Sequence, residues 1–403
     1  MKVAMVDPSL FTIPYDRALV DRLRAGGHFV RWFGRPLRDW ERELAEGAAV
    51  EEFFYVRTEP LKARLGKRLG IWMKAFGHLS SMLAFQRLMI RWKPDVIHFQ
   101  WFPVPALDNF FARRLGKIAP VVATVHDSRP FNSNPSSRLQ RWDAYRVLQC
   151  CDHLIVHTDS AIEKLVEVGI DRSRVTRIPH GLLANGDGKE EQKAAKDKVT
   201  FVQFGTVKPY KGVDVLLQAT AMIEETVRNS LSIVVAGSPS FDVSELIALR
   251  RQLGLEGIVD FDFRRYTDRE MSELFQRADV MLYPYREIEA SGVLLASMQY
   301  GRAVIASRLG VFEEMIADGV HGRLVPPGDA MALSLAIAEL ALDPKKRALM
   351  GLNMAQLAND VPSWTEIGAM TVRAYQTARM RSIASTEHPT TCWEEPWDER
   401  RLE

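Results

Sequence analysis

Short runs of apolar residues alternate along the chain with longer segments of helical spacing. The runs are rich in Val and Ile, and each ends in Gly, Pro, Asp or His. We interpret as strands Lys2–Val6, His28–Phe33, Val96–Phe99, Val121–His126, His153–His157, Val175–Ile178, Val199–Phe204, Leu231–Ala236, Ile258–Phe263, Val280–Tyr283 and Ala303–Ser307. Because parallel strands need helical crossovers, this alternation predicts parallel sheets with helices on both faces.

The length of 403 residues favours two domains, since single cores stop growing at roughly 250–300 residues. We predict an α/β fold of two Rossmann-like, doubly wound domains whose strands end at a shared cleft, where a ligand would bind. The boundaries are residues 1–183, a Gly-, Asn-, Lys- and Glu-rich linker at 184–198, and residues 199–362. The helical segment 364–380 is expected to complete the first domain, and the polar residues 385–403 to form a disordered tail.

Composition excludes several classes of protein. The 47% apolar and 26% charged residues are ordinary for a globular chain, and a net charge of +2 is too small for a protein whose whole surface binds nucleic acid. Cys150, Cys151 and Cys392 form neither a disulfide framework nor a zinc-ligand spacing, which fits a reducing cytosol. No apolar run reaches the roughly 20 residues that span a bilayer. We therefore expect a cytoplasmic protein whose membrane contact, if any, is peripheral.

The segment Phe204–Gly212 carries the strongest chemical signal. It follows an apolar strand and precedes the helical run Val213–Ala221. Glycines let a ligand approach the backbone, a helix start offers unpaired N–H groups, and Lys208 and Lys211 are three residues apart, so both can reach one diphosphate. The alternative is a basic surface loop.

A second signal is Pro284–Val293, which leads into an apolar helix. Backbone N–H groups near Ser291 and Gly292 would bind phosphate oxygens, and a carboxylate upstream would hold sugar hydroxyls. The alternative is a capped helix with two solvated glutamates.

Together with Ile178–Gly181 and Gly322–Asp329, these segments resemble glycosyltransferase family 4, the retaining GT-B enzymes. The resemblance covers most of the chain and is densest in residues 199–342. It implies a GT-B fold in which the first domain binds the acceptor and the second the nucleotide-sugar. It also implies a donor diphosphate site that comprises Gly205, Lys208, Lys211, Ser291, Gly292 and Val293.

The same resemblance assigns further roles. His126, at a predicted strand end, matches the family histidine near the donor sugar, whereas the alternative is one satisfied histidine among nine. Glu289, or its neighbour Glu287, occupies the place of the first glutamate of a paired motif. His126, Lys211 and Glu289 are thus the catalytic candidates, and His126, Glu287 and Glu289 the donor-sugar candidates. His157 and His180 are weaker, structural candidates.

Two departures from the family pattern stand out. Thr206 replaces the commoner arginine, so Lys208 has to supply the second positive charge. The second glutamate, which usually grips the ribose, is missing, and its place falls on Ala296 or Ser297. The missing glutamate makes an inactive GT-B binding subunit an alternative to a transferase. A nucleotide-sugar epimerase on the same scaffold is a separate alternative.

Asp260 and Asp262 have the spacing of a metal-binding acid pair, but they share one face of a predicted strand and are more naturally solvated. We expect no metal and no cofactor, because the nucleotide-sugar is a substrate. The resemblance places Arg264, Arg265 and Tyr266 at the loop that contacts the nucleobase.

The segment Leu61–Lys93 contains eight basic residues and no acidic one, interleaved with Trp, Phe and Leu. Such a helix is the usual design for an anionic membrane surface, and a lipid-linked acceptor sugar would follow. The patch comprises Lys62, Arg64, Lys67, Arg68, Trp72 and Lys74. A plain amphipathic helix is an alternative, and nucleic acid is not expected because no reader module is visible. The proposed role is hexose transfer in bacterial polysaccharide or glycolipid assembly.

Overall fold

The computed structural model describes residues 1–42, 45, 47, 49–58, 67–128, 138–183, 198–288 and 291–387. The chain forms two compact units, Leu182–Val361 (unit 2) and Met1–Gly181 with the segment from Pro362 onward (unit 1). Residues 184–197 of the expected linker and 388–403 of the expected tail lie outside the described residues.

Unit 1 is built on a seven-stranded parallel sheet of order β3-β2-β1-β4-β5-β6-β7. Its strands are β1 Lys2–Val6, β2 Phe29–Gly34, β3 Val50–Glu52, β4 Val96–Phe99, β5 Val121–Val125, β6 His153–Val156 and β7 Val175–Arg177. Its first helices are α1 Ile13–Ala25, α2 Asp39–Arg42, α3 Lys67–Trp92, α4 Pro105–Leu115, α5 Arg138–Gln149 and α6 Asp159–Glu167. The strand order reverses between β1 and β4, so the loops after these strands diverge and leave a crevice between them.

Unit 2 contains a six-stranded parallel sheet of order β10-β9-β8-β11-β12-β13. The strands are β8 Val199–Phe204, β9 Leu231–Ala236, β10 Val259–Asp262, β11 Val280–Tyr283, β12 Ala303–Ser307 and β13 Gly322–Val325. The helices are α7 Val213–Met222, α8 Glu225–Asn229, α9 Ser244–Gln252, α10 Asp268–Arg277, α11 Gly292–Met298, α12 Gly310–Met315, α13 Ala330–Leu342 and α14 Pro344–Asn359. Here the order reverses between β8 and β11.

The last helix, α15 Trp364–Glu387, returns to unit 1 and packs against α1 and β6. Its inner face is fully buried at Ile367 and Tyr375. The helix extends through Glu387 and so includes residues 385–387 of the expected tail. The reason is local, because no helix-breaking residue occurs before Pro389.

The central strands are apolar on both faces because helices cover both sides of each sheet. Every residue of β5 is buried, and so is every residue of β11 and β12. The edge strand β3 was not predicted, because Val50–Glu52 has only one apolar residue. It is held instead by pairing with β2 and by a bidentate ion pair between Arg31 and Glu51.

The other strand without a sequence prediction is β13, whose pairing with β12 depends on a glycine. A Cβ on Gly322 would lie 1.9 Å from the carbonyl oxygen of Val304. The backbones of β12 and β13 therefore approach each other at Gly322 more closely than a residue with a side chain would allow.

Gly322→Ala is expected to destabilise the protein by about 1–3 kcal/mol, because the added methyl group has to displace strand backbone. The unfolding midpoint in urea measures the change. Gly257→Ala is the matched control, since no atom lies within 4 Å of its Cβ position. Equal stability of the two variants would contradict this account of β13.

Candidate active site

Two glycines in the left-handed region shape the loop that follows β8. Gly205 has φ of +105° and Gly212 has φ of +66°, a region that other residues rarely adopt. A Cβ on Gly212 would lie 2.0 Å from the carbonyl oxygen of Pro284, which follows β11. The two loops are thus in direct backbone contact at the point where the strand order reverses.

Lys211 is buried within this loop, with 6% of its surface exposed. Its Nζ donates to the carbonyl oxygen of Phe204 at 3.1 Å, and its own carbonyl oxygen accepts from Gln203 Nε2 at 2.8 Å. Burial, and then the charge of Lys208, lowers the pKa of Lys211 to about 7. Among the residues that the structure describes, no carboxylate forms an ion pair with this group. An incoming anion would supply the missing counter-charge.

Arg286, the third cation near these loops, is already neutralised. Its guanidinium donates to both oxygens of Asp214 at 2.7 and 2.6 Å, and its backbone N–H donates to the carbonyl oxygen of Tyr210 at 2.7 Å. Arg286 therefore ties the loop after β11 to the loop after β8. Lys208 is half-buried, with its Nζ 5.8 Å from the centre of the Tyr210 ring.

The start of α11 lies beside Lys211. A Cβ on Gly205 would lie 2.7 Å from Lys211 Nζ and 3.2 Å from Val293 Cγ2, so these three predicted residues come together. Ser291 is the N-cap of α11, and its Oγ accepts the N–H of Leu294 at 3.1 Å. Its hydroxyl is thus engaged by the helix. Gly292 and Val293 begin the first turn, where helix N–H groups lack intrahelical partners.

The carboxylates predicted for the donor sugar, Glu287 and Glu289, come shortly after β11 in the sequence. Glu287 is half-buried, and Glu289 lies outside the described residues. Helix α11 carries no acidic residue. Ala296 and Ser297 are both buried, and Ser297 Oγ lies 2.7 Å from the hydroxyl of Tyr283. Both candidate places for the second glutamate therefore face the core of unit 2, where a carboxylate would be costly.

The loop after β10 forms its own charged cluster. Arg264 forms ion pairs with Asp262 at 3.1 Å and Glu270 at 2.7 Å, and its guanidinium lies 4.1 Å from the centre of the Tyr266 ring. The Tyr266 hydroxyl donates to Asp262. Asp260 is exposed as predicted, but Asp262 is engaged by these partners. Across the described parts of the chain, no group of three potential metal ligands occurs.

His126 lies at the carboxyl end of β5, in unit 1. Its Nε2 is 2.9 Å from Gln100 Oε1, and its Nδ1 is 3.2 Å from His157 Nε2. The Trp101 ring stacks on the imidazole at 5.2 Å between centres, and Tyr15 meets it edge-on at 5.0 Å. The histidine is therefore the centre of a packed aromatic cluster.

Four histidines around this cluster are neutral at pH 7. Burial lowers the pKa of His98 and His180 to about 3 and that of His157 to about 4. Burial, followed by the neighbouring histidines, holds the pKa of His126 well below its usual value. This edge of unit 1 is polar but carries no imidazolium charge.

Helix α3 presents an apolar stripe to solvent. Phe76, Leu83 and Ile90, spaced seven residues apart, are 70%, 38% and 52% exposed. Arg87 and Arg91 are exposed beside them. Lys62 and Arg64 lie outside the described residues, as do the side chains of Lys67, Arg68, Trp72 and Lys74. Within the described residues, no helix is both long and apolar enough to cross a bilayer.

Comparison with known families accounts for most of the chain. Residues 17–185 match the family described as Glycosyltransferase Family 4, and residues 187–356 match the family described as Glycosyl transferases group 1. The chain belongs to glycosyltransferase family 4.

Curated glycosyltransferases are about a quarter identical to the chain over the residues that align. A D-inositol 3-phosphate glycosyltransferase 2 of Catenulispora acidiphila is 27% identical over 276 residues, which are 65% of this chain and 63% of the relative. An MMP α-(1→4)-mannosyltransferase of Mycolicibacterium hassiacum is 28% identical over 232 residues, 57% of this chain and 55% of the relative. The chain thus matches less than two thirds of the length of either relative.

Solved structures extend the similarity of fold over nearly the whole chain. HepE of Anabaena, in complex with UDP and glucose, has a TM-score of 0.72 at 17% identity, and covers 94% of this chain and 100% of its own. WaaG, a glycosyltransferase involved in lipopolysaccharide biosynthesis, has a TM-score of 0.65 at 17% identity, and covers 92% of this chain and 98% of its own. The two parallel-sheet units form a GT-B fold.

Sequence reasoning on this family 4 chain missed three neighbours of His126, namely Tyr15, Gln100 and Trp101. Gln100 and Trp101 directly follow β4, which pairs with β5, so their place at a strand end was a usable signal. Tyr15 had no such signal, because it lies in the first turn of α1 and is 2% exposed.

Proposed function

We propose that the protein is a retaining glycosyltransferase that moves a hexose from a nucleoside diphosphate sugar to an acceptor hydroxyl without a metal ion. The observation that carries the proposal is the Lys211 ammonium group, which is buried beside Gly205 and Val293 with no carboxylate partner among the described residues. A diphosphate is the anion that best fits a charged group, a close backbone approach and a helix start at one point.

The chemistry follows from where charge develops. In the transfer the bond between the sugar C1 and the phosphate oxygen breaks, and a bond from C1 to the acceptor oxygen forms on the same face. The leaving diphosphate gains negative charge, which Lys211 and Lys208 would stabilise. The departing phosphate oxygen takes the acceptor proton, so no protein nucleophile is needed. Glu287 and Glu289 would hold donor hydroxyls, and the loop of Arg264, Arg265 and Tyr266 would contact the base.

A UDP-hexose is the first donor to test, since HepE binds UDP and glucose in its crystal structure. Helix α11 offers the ribose no carboxylate, so the donor has to be held chiefly through its diphosphate and sugar.

Lys211→Met should lower kcat/KM for transfer by roughly 100- to 1,000-fold, the usual cost of removing a group that stabilises transition-state charge. Release of UDP from a UDP-hexose, with and without acceptor, measures it. Lys345→Met, an exposed lysine on α14, is the matched control. Full activity of Lys211→Met would contradict the proposal, and UDP release independent of acceptor would favour a different enzyme class.

Binding of UDP should take up close to one proton at about pH 8. Free Lys211 has a pKa of about 7 and is mostly neutral there, whereas the diphosphate favours its charged form and raises that pKa. Affinity should therefore fall by up to about tenfold per pH unit as the pH rises above about 7. Calorimetry in two buffers of different ionisation enthalpy counts the protons.

Lys211→Arg is the control for this linkage, because arginine stays charged and should remove the proton uptake. A wild-type protein that binds UDP at pH 8 with no proton exchange would show that Lys211 is not at the diphosphate.

We further propose that the outer face of α3 rests on an anionic membrane at the cytoplasmic side, which would give access to a lipid-linked acceptor in polysaccharide or glycolipid assembly. The support is the combination of the exposed Phe76, Leu83 and Ile90 with basic residues, and the lack of acidic residues in Leu61–Lys93. Apolar burial and attraction to anionic lipid would act together.

The protein should sediment with vesicles that contain phosphatidylglycerol, and salt should release it. Replacing Phe76, Leu83 and Ile90 by serine should weaken binding at least about tenfold. The control is Leu349→Ser with Leu352→Ser, which removes two apolar side chains of 59% and 70% exposure from α14. If the protein did not bind the vesicles at low salt, or if the control lost as much binding as the α3 variant, α3 would be ruled out as the membrane-binding surface.

A further inference from the structure

A chain of ring nitrogens runs through unit 1 from a backbone carbonyl to a side-chain amide. His157 Nδ1 lies 2.9 Å from the carbonyl oxygen of Ile178, and His157 Nε2 lies 3.2 Å from His126 Nδ1. On its other side, His126 Nε2 lies 2.9 Å from Gln100 Oε1. Every contact is within hydrogen-bond reach, so each gap needs one proton and one lone pair.

The carbonyl group of Ile178 sets the direction of the hydrogen bonds in this series. A carbonyl oxygen only accepts, so the proton between Ile178 and His157 is on His157 Nδ1. His157 is neutral, because burial lowers its pKa to about 4. Its Nε2 therefore carries a lone pair, and the proton in the next gap has to belong to His126 Nδ1.

Gln100 is the last link. A neutral His126 with its proton on Nδ1 has a lone pair on Nε2, which needs a donor. As placed, Gln100 Oε1 faces His126 Nε2, and Gln100 Nε2 lies 3.0 Å from Met5 Sδ and 3.4 Å from His98 Nε2. A half-turn of the amide exchanges its two ends, which brings the nitrogen to His126 Nε2 and the oxygen to Met5 Sδ and His98 Nε2. An amide oxygen at His126 Nε2 would require a doubly protonated ring. Burial opposes that charge, as do His157, His180 and His98.

We propose that His157 and Gln100 are positioning residues that hold His126 as the tautomer with its proton on Nδ1 and its Nε2 lone pair bound by the Gln100 amide nitrogen. Both ring nitrogens are then engaged inside unit 1, and Trp101 covers one face of the ring. His126 consequently contributes by its fixed position and not by exchanging protons. The effect on catalysis rests on the proposed transferase function, whereas the tautomer itself does not.

The tautomer can be observed directly on the full-length protein by NMR with ¹⁵N-labelled histidine, assigned by comparison with His126→Gln. The expected signals show a protonated Nδ1 and a bare Nε2 for His126 between about pH 6.5 and 8. Gln100→Glu places a carboxylate beside Nε2 and should convert His126 to the doubly protonated ring. A wild-type His126 protonated on Nε2, or unchanged signals in Gln100→Glu, would overturn the proposal.

Kinetics supply the second test. His157→Leu removes the acceptor for His126 Nδ1–H and should lower kcat about tenfold, the worth of one hydrogen bond, with the donor KM changed less than about twofold. His157→Gln, whose amide oxygen can accept the same proton, should restore most of kcat. The matched control is His153→Leu, a buried histidine four residues earlier that contacts Thr176.

The two tests separate the possible failures. If no variant or wild-type protein transfers sugar, the proposed function fails while the NMR result still decides the tautomer. If transfer occurs but His157→Gln is as impaired as His157→Leu, and His153→Leu is equally impaired, the role of His157 is packing alone and the proposal is wrong.

Discussion

A buried ammonium group with no counter-charge among the described residues is the constraint around which the loops of unit 2 are arranged. Burial removes most of the water around Lys211. Within the described residues its Nζ donates to the carbonyl oxygen of Phe204 and has no carboxylate partner. That arrangement lowers its pKa to about 7, which means that burial of the charge costs stability. The glycines at 205 and 212 are needed because the loop passes this close to Lys211 and to the loop after β11. A bound anion would pair with the buried charge of Lys211 and so offset this loss of stability.

In unit 1 a group of buried histidines is uncharged and hydrogen-bonded, in contrast to Lys211 in unit 2. The histidines at positions 98, 126, 157 and 180 are neutral, and their ring nitrogens lie against one another, against Tyr375 and Thr124, or against backbone carbonyls. A neutral imidazole needs a donor on one nitrogen and an acceptor on the other, so the network fixes orientations without introducing charge. Helix α15 takes part through Tyr375, whose hydroxyl lies 2.7 Å from His98 Nδ1. Helix α15 therefore contacts the same group of buried histidines that contains His126.

The missing second glutamate has a structural explanation. In α11 the two candidate positions, Ala296 and Ser297, are core positions, and Ser297 is hydrogen-bonded to Tyr283. A carboxylate at either place would be buried beside apolar side chains. These positions of α11 therefore contribute packing and no carboxylate, and Lys208 and Lys211 supply positive charge on the neighbouring loop.

The sequence alone determined the parallel two-unit architecture, because fully covered strands have to be apolar on both faces and their crossovers have to be helical. It also indicated which residues follow the strand ends, namely Gly205 and Lys211 in unit 2 and His126 in unit 1. The reason is that the carboxyl ends of parallel strands lie along one edge of each sheet. Sequence reasoning missed β3 and β13, which have too few apolar residues and exist because a neighbouring strand pairs with them. Only the tertiary structure decided which cations were already paired, as Arg286 is by Asp214, and which ring nitrogens face each other. Those properties depend on distances between residues far apart in the chain, and no local pattern encodes them.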